Sequence, residues 1–276
     1  MLLLSTDTLK GYGLNRIFEF AKTAGYDGID LQIDPKSFDT TNAAYIKAVS
    51  DSVGLPVKVV CTQVDANQKE VLEAVEIAKT VEAKIVVIQA PKILNFKYTK
   101  WLTKEIPKIR EKERISIALE NSPADTFLGF IPEHALSNIS ELKKFKHACL
   151  DTSRVAERHQ DLIRTYHALQ RYLVHVHLSN VSKGKRYYLL GDGILPLESF
   201  LTKLKQDDYK GYVAVKVNPK FIKAGEDEKM IKYLSDFKEY FNKYFENIAV
   251  QKDPNEEQKP DDENEGKEQE LEIGSL

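Results

Sequence analysis

Cysteine, methionine and tryptophan are scarce, at 2, 2 and 1 in 276 residues. Cys61 and Cys149 fall on different predicted strands, so no disulfide framework is expected. Two isolated thiols predict buried small residues in a reducing compartment and argue against a metal site built from them. No apolar run approaches the roughly 18 residues a membrane span needs. The opening Leu2-Leu3-Leu4 is too short for a signal-peptide core and lacks a basic leader, so a cytoplasmic location is expected. A net charge of −2 excludes the strongly basic balance of a nucleic-acid binder. That balance is uneven. From Gln251 onward ten acidic residues face three lysines, leaving −7 there and about +5 on the rest, a mildly basic body suited to an anionic small molecule. Residues 248–276 hold few groups able to build a core and are expected to form a disordered acidic tail behind a 1–247 domain.

Short apolar segments alternate with amphipathic ones along the body. Val57–Cys61 and Ile85-Val86-Val87-Ile88 read as strands covered on both faces, and Val71, Val75 and Ala78 carry helical spacing. Further strands are predicted at Leu2–Leu4, Gly28–Ile33, Ile115–Glu120, Ala148–Asp151, Leu173–His177 and Tyr212–Val217, with helices between them and a last helix near Glu226–Tyr244. Repeats of roughly 30 residues predict an α/β fold, a (β/α)8 TIM barrel. An open doubly wound sheet is the alternative, weakened because no Gly-rich phosphate loop follows the first strand.

Barrel chemistry gathers at the C-terminal ends of strands. Those ends read Asp7, Gln32 or Asp34, Gln63, Gln89, Glu120, Asp151, His177 and Lys216. Glu120, Asp151 and His177, from adjacent strands, are ligand types that suit one Mg²⁺, Mn²⁺ or Zn²⁺. Lys216 brings an ammonium to the same rim. Arg154 either grips a phosphate or carboxylate or pairs with Asp151 or Glu157. Gln63 and Gln89 would hydrogen-bond substrate hydroxyls. Lys183, Lys185 and Arg186 lie on the seventh loop, where barrels often hold phosphate, although a solvated basic loop reads the same way. Tyr187 and Tyr188 would stack on a sugar or anchor that loop. His175 should sit deeper, as a satisfied core histidine.

Gly25-Tyr26-Asp27-Gly28-Ile29-Asp30-Leu31 resembles the second-strand motif of the xylose-isomerase-like barrels, which include sugar-phosphate isomerases, ketose 3-epimerases and endonuclease IV. Ala118-Leu119-Glu120-Asn121, Leu150-Asp151-Thr152-Ser153, His175-Val176-His177-Leu178-Ser179-Asn180, Leu190-Gly191-Asp192-Gly193 and Gly211-Tyr212-Val213 follow in the family's order, so the resemblance covers roughly residues 1–245. It implies metal ligands at Glu120, Asp151 and His177, and proton transfer α to a carbonyl with Glu120 as base, His177 also lying near substrate. It also exposes departures. The family's second Glu ligand, also a base, falls on Lys216; its substrate-contacting His on Arg154; its Asp after strand seven on Asn180.

Two readings of the metal position stay open. Either the Lys216 ammonium replaces the cation and pairs with Glu120 and Asp151, or three ligands hold a metal with water completing the shell. At an effective dielectric near 20, each cation–cation contact at a few ångströms would cost on the order of 4 kcal/mol. The function expected is a sugar or sugar-phosphate isomerase or epimerase with an altered site, with Glu120 and Lys216 carrying the chemistry. The alternative is a catalytically silent barrel that binds a sugar phosphate or a protein partner. Endonuclease IV chemistry is disfavoured, because the positions of its trinuclear zinc ligands carry Gln63, Gln89, Lys185 and Tyr187. The sequence leaves the number of subunits open.

Overall fold

The computed structural model describes residues 1–127 and 130–246. The acidic 248–276 segment lies outside the described residues. Eight parallel strands close into a barrel in the order β1-β8-β7-β6-β5-β4-β3-β2. They are β1 (Leu2–Ser5), β2 (Gly28–Gln32), β3 (Val57–Cys61), β4 (Ile85–Ile88), β5 (Ser116–Glu120), β6 (Ala148–Asp151), β7 (Leu173–Leu178) and β8 (Tyr212–Val215). The barrel is thus as the alternation predicts, and the open sheet is excluded.

The helices bury one stripe each. α1 (Leu14–Thr23) turns Leu14, Ile17, Phe18 and Ala21 inward at three-to-four spacing. Full burial of a side chain such as Phe18 is worth roughly 1.5–3 kcal/mol. α2 (Ala43–Val53) is capped by the Asn42 side chain and stopped by Gly54 at φ 65. α3 (Gln68–Thr80) starts in a reciprocal cap between Asn67 and Glu70. The aromatic last helix, α-helical over Asp227–Phe241, packs on this barrel: Phe237 and Phe241 are buried, and Tyr233 and Tyr240 are partly buried against the core.

Two places depart from the predicted elements. The single helix expected between β6 and β7 is two pieces: a turn of helix directly after β6, Thr152–Glu157, and a helix over Leu162–Leu169. Each piece has its own cap: Asp151 Oδ1 accepts from the Arg154 amide at 3.1 Å, and Asp161 Oδ1 from the Arg164 amide at 2.7 Å. The long loop after β7 is an antiparallel ribbon, Asn180–Ser182 with Lys185–Tyr188. Its turn places Lys183 and Gly184 at positive φ.

Two apolar layers result. The larger one lies between strands and helices. The smaller fills the barrel itself with Leu3, Val59, Cys61, Ile85, Val87, Ala118, Cys149 and Ala214. Side chains two residues further along a strand face the same way. Gln63, Gln89, Glu120, Asp151 and Lys216 therefore form the next layer up, at the C-terminal mouth. Among the described residues no helix is long and apolar enough to cross a membrane.

Candidate active site at the barrel mouth

Glu120 closes β5 and Asp151 closes β6, while His177 pairs in register with Asp151 on one side and Ala214 on the other. Lys216 follows β8 and stays on the sheet, its amide donating to Leu178 O at 3.0 Å. Chain segments far apart in sequence thus converge. The Lys216 Nζ lies 3.8 Å from Glu120 Oε1 and 3.9 Å from Asp151 Oδ2. Arg154 reaches the same carboxylates, with Nη1 at 2.8 Å from Glu120 Oε2 and Nε at 3.8 Å from Asp151 Oδ2. Its Nη1 also donates to Gln89 Oε1 at 2.8 Å and Asn121 O at 2.9 Å. Gln89 Nε2 donates to Glu120 Oε2 at 2.5 Å. His177 Nδ1 sits against Glu120 Oε1, and its Nε2 faces Asp30 Oδ2 at 2.9 Å.

Burial decides what a ligand can meet. Glu120 and Asp151 are 0% exposed and His177 1%. Above them opens a cavity of about 460 Å³ lined by Gln63, Gln89, Arg154, Tyr187, Lys216 and Asn218, with Asp7, Lys10 and Gln32 on the rim. The floor that a ligand touches is cationic and amide in character; the carboxylates lie beneath it. The ammonium of Lys216 lies 5.7 Å from the Tyr187 ring centroid, a cation–π arrangement. Lys183 is exposed at the ribbon turn, and Arg186 Nε pairs with Glu157 Oε1 at 3.0 Å. Neither lines the cavity. Lys185 packs over Tyr188 and Phe221.

The electrostatics follow from this packing. Burial alone would raise the Glu120 pKa, but Arg154, Lys216 and His177 hold it well below the usual carboxylate range. Burial likewise opposes the Lys216 charge, yet Glu120 and Asp151 keep its pKa well above an ordinary lysine's. His177 is raised the same way, against burial, by Cys149, Glu120 and Asp30. A depressed lysine able to form an imine is not what this surrounding produces.

Asp30 is the site residue that the sequence reading passed over. It is wholly buried behind His177 and was visible only as part of the second-strand motif. His175 also differs from expectation: it is 0% exposed, but neither ring nitrogen makes a hydrogen bond. Asn180 is a loop anchor, with Nδ2 donating to Leu190 O and Oδ1 accepting from the Val181 and Leu195 amides, all at 2.9 Å. A Cβ on Gly193 would come within 2.0 Å of this side chain, which explains the glycine.

A model of the xylose isomerase-like TIM barrel matches residues 18–235. The chain belongs to that family. An uncharacterized protein of Mycobacterium leprae is 25% identical over 260 residues, spanning 83% of this chain and 92% of its own length. Among solved structures, the 3-keto-D-glucoside 4-epimerase of E. coli superposes with a TM-score of 0.64 at 15% identity, covering 84% of this chain and 98% of its own. The IolI protein, crystallised with a bound zinc atom, reaches 0.66 at 16% identity over 89% and 99%. These likenesses establish the shared fold.

The described residues include sets with metal-ligand chemistry. The ligand atoms of Glu120, Asp151 and His177 lie within 4.8 Å of one another. Most of them are engaged: Glu120 Oε1 by His177, Oε2 by Gln89 and Arg154, and Asp151 Oδ1 by the Arg154 amide. In this set Asp151 Oδ2 is the carboxylate oxygen left without a hydrogen bond, and the Lys216 ammonium faces it.

Proposed function

We propose that this is an isomerase/epimerase-type barrel that binds an anionic sugar, such as a sugar phosphate, with the Lys216 ammonium standing where a mouth cation would sit. The observation that carries the reading is the inverted floor: Lys216 and Arg154 face the cavity, while Glu120 is wholly buried. The set formed by Glu120, Asp151 and His177 does not fit a divalent ion as it stands. Two charged side chains, Lys216 and Arg154, already balance the two carboxylates, and a dication would meet both cations at close range. Arg154 offers a planar guanidinium to phosphate or carboxylate. Gln63, Gln89 and Asn218 offer neutral partners for hydroxyls, and Tyr187 an aromatic edge to the cavity. The volume suits a single sugar ring and its substituents.

A general base must reach the proton it removes. Glu120 lies under Gln89 and Arg154 with its pKa held down, so in this arrangement it serves as counter-ion. Proton transfer α to a carbonyl is the second reading. It is favoured by one feature: the side chains bonded to Glu120 Oε2 are themselves cavity-lining, so a ligand that draws Arg154 upward would uncover the carboxylate. Lys216 would then steady the developing oxyanion. The buried free thiols of Cys61 and Cys149 fit a reducing cytoplasm.

Calorimetric titration with neutral sugars, their phosphates and inorganic phosphate, in the presence of a chelator, tests the binding reading. Saturable binding of a phosphorylated sugar, unchanged by chelation, is expected. Failure of every anionic sugar to bind, or a strict need for a divalent ion, would overturn it. Deuterium incorporation from solvent into the bound sugar distinguishes turnover from silent binding.

A further inference from the structure

We propose that the barrel interior holds a zinc ion one layer below the mouth, bound by Asp30, Cys61, His175 and His177. This inference stands apart from the ligand reading above. Its starting point is a buried histidine beside a carboxylate, a thiol and a second imidazole. Both ring nitrogens of His175 take no hydrogen bond although the residue is 0% exposed, while Asp30 Oδ2, equally buried, is met by the His177 ring at 2.9 Å. An orphaned buried polar atom costs about 1–3 kcal/mol, so the two on His175 call for a partner.

The donors around that point are a carboxylate, a thiol and two imidazoles, a set suited to Zn²⁺. Asp30 Oδ2 lies 2.9 Å from His177 Nε2 and 3.6 Å from His175 Nε2. Cys61 Sγ is 3.7 Å from His177 Nε2 and 2.9 Å from Asp30 Oδ1. One ligand atom each of Asp30, Cys61 and His177 lies within 4.8 Å of the others, against roughly 3.3–3.7 Å between donors on a tetrahedral zinc, so these three need only small shifts; His175 shares such a cluster with His177 and Cys149 and completes the set only by turning towards Cys61. The rings of His175 and His177 cross at 89°, with centroids 4.8 Å apart. That crossing lets both present Nε2 towards Asp30 without stacking.

The other nitrogen of His177 completes the argument. Its Nδ1 is held by Glu120, and a carboxylate on the far side of a ligating imidazole is the usual device for fixing its tautomer and direction. Glu120 would thus hold the ring between the mouth and the ion beneath. Charge balance is preserved on binding. Cys61 gives its thiol proton and the His177 imidazolium its Nε2 proton to solvent, so the Asp30–His177 ion pair is exchanged for the metal and its two anionic ligands. Zn²⁺ with one thiolate and one carboxylate is then neutral as a unit. Full burial marks a closed structural site loaded during folding. Cys149 Sγ lies 3.8 Å from His177 Nδ1, on the Glu120 side of the ring, and is outside the ligand set.

The test is elemental analysis of full-length protein refolded with zinc and gel-filtered, alongside Cys61→Ser, His175→Gln, Cys149→Ser and Asp151→Asn. Stoichiometric zinc is expected in the unmodified protein, Cys149→Ser and Asp151→Asn, and background levels in Cys61→Ser and His175→Gln. Should the latter two fail to fold, cobalt-refolded unmodified protein must show thiolate-to-cobalt charge-transfer absorption and the intense visible bands of tetrahedral cobalt. No zinc and no such spectrum would overturn the inference while leaving the metal-free mouth intact. Zinc kept in Cys61→Ser but lost in Asp151→Asn would place the ion at the mouth, and both readings would fall.

Discussion

Replacing Lys216 by methionine keeps the length of the side chain and removes its charge. In the native arrangement Nζ faces Glu120 Oε1 at 3.8 Å and Asp151 Oδ2 at 3.9 Å. Each contact is worth on the order of 4 kcal/mol at an effective dielectric near 20, an attraction largely offset by dehydrating the ammonium. Removal leaves both carboxylates buried with Arg154 and His177 as remaining partners. Breaking a buried pair from one side typically costs about 3–5 kcal/mol, and those two partners argue for the lower end. A loss of about 3 kcal/mol corresponds to a fall of roughly 6–12 °C in Tm for a domain of this size. Urea and thermal melts in chelator, with the exposed rim residue Lys10→Met as control, measure it. The difference should persist at high salt, because a buried pair is poorly screened. A Lys216→Met protein as stable as the original would show that the ammonium is not in contact with the two acids.

Other consequences are open to measurement. Burial, with Arg110 nearby, pushes the His147 pKa from 6.5 down to about 4. The unfolded chain therefore takes this proton first, and stability present above pH 6.5 is lost as pH falls towards 4. Allowing for partial exposure, about 1–2 kcal/mol should go, and His147→Gln should flatten that part of the pH–stability curve; equal slopes would refute it. Gly193→Ala should cost about 1–3 kcal/mol by displacing Asn180 and loosening the loop it anchors, seen as a lower urea midpoint and as faster proteolysis between Leu190 and Leu195. Arg154→Lys should weaken binding of a sugar phosphate about tenfold through loss of the two-point grip, with little change for a neutral sugar; equal effects on both would remove the anion-binding role.

The sequence made the barrel legible because each strand is a run of β-branched and aliphatic residues covered on both faces, and each helix shows its stripe. It also led to the mouth, since period-two alternation carries Val87 to Gln89, Ala118 to Glu120 and Ala214 to Lys216. The layer below was hidden. Asp30 and Cys61 sit inside apolar strands, where a lone polar residue has no pattern to mark it, and only closure of the barrel brings β2 and β3 within reach of β7. His175 was placed deep correctly, but whether its nitrogens are satisfied depends on neighbours two strands away. The ribbon after β7 escaped notice because Asn180–Ser182 and Lys185–Tyr188 are short and polar.

The most direct measurement is a zinc-edge anomalous difference map from crystals grown with zinc, for the unmodified protein and for Lys216→Glu. In the unmodified protein no peak should lie within about 2 Å of Glu120 or Asp151 oxygens, with the Lys216 nitrogen between them; Lys216→Glu should gain such a peak. A peak bridging those two carboxylates in the unmodified protein, with Lys216 turned aside, would contradict the account.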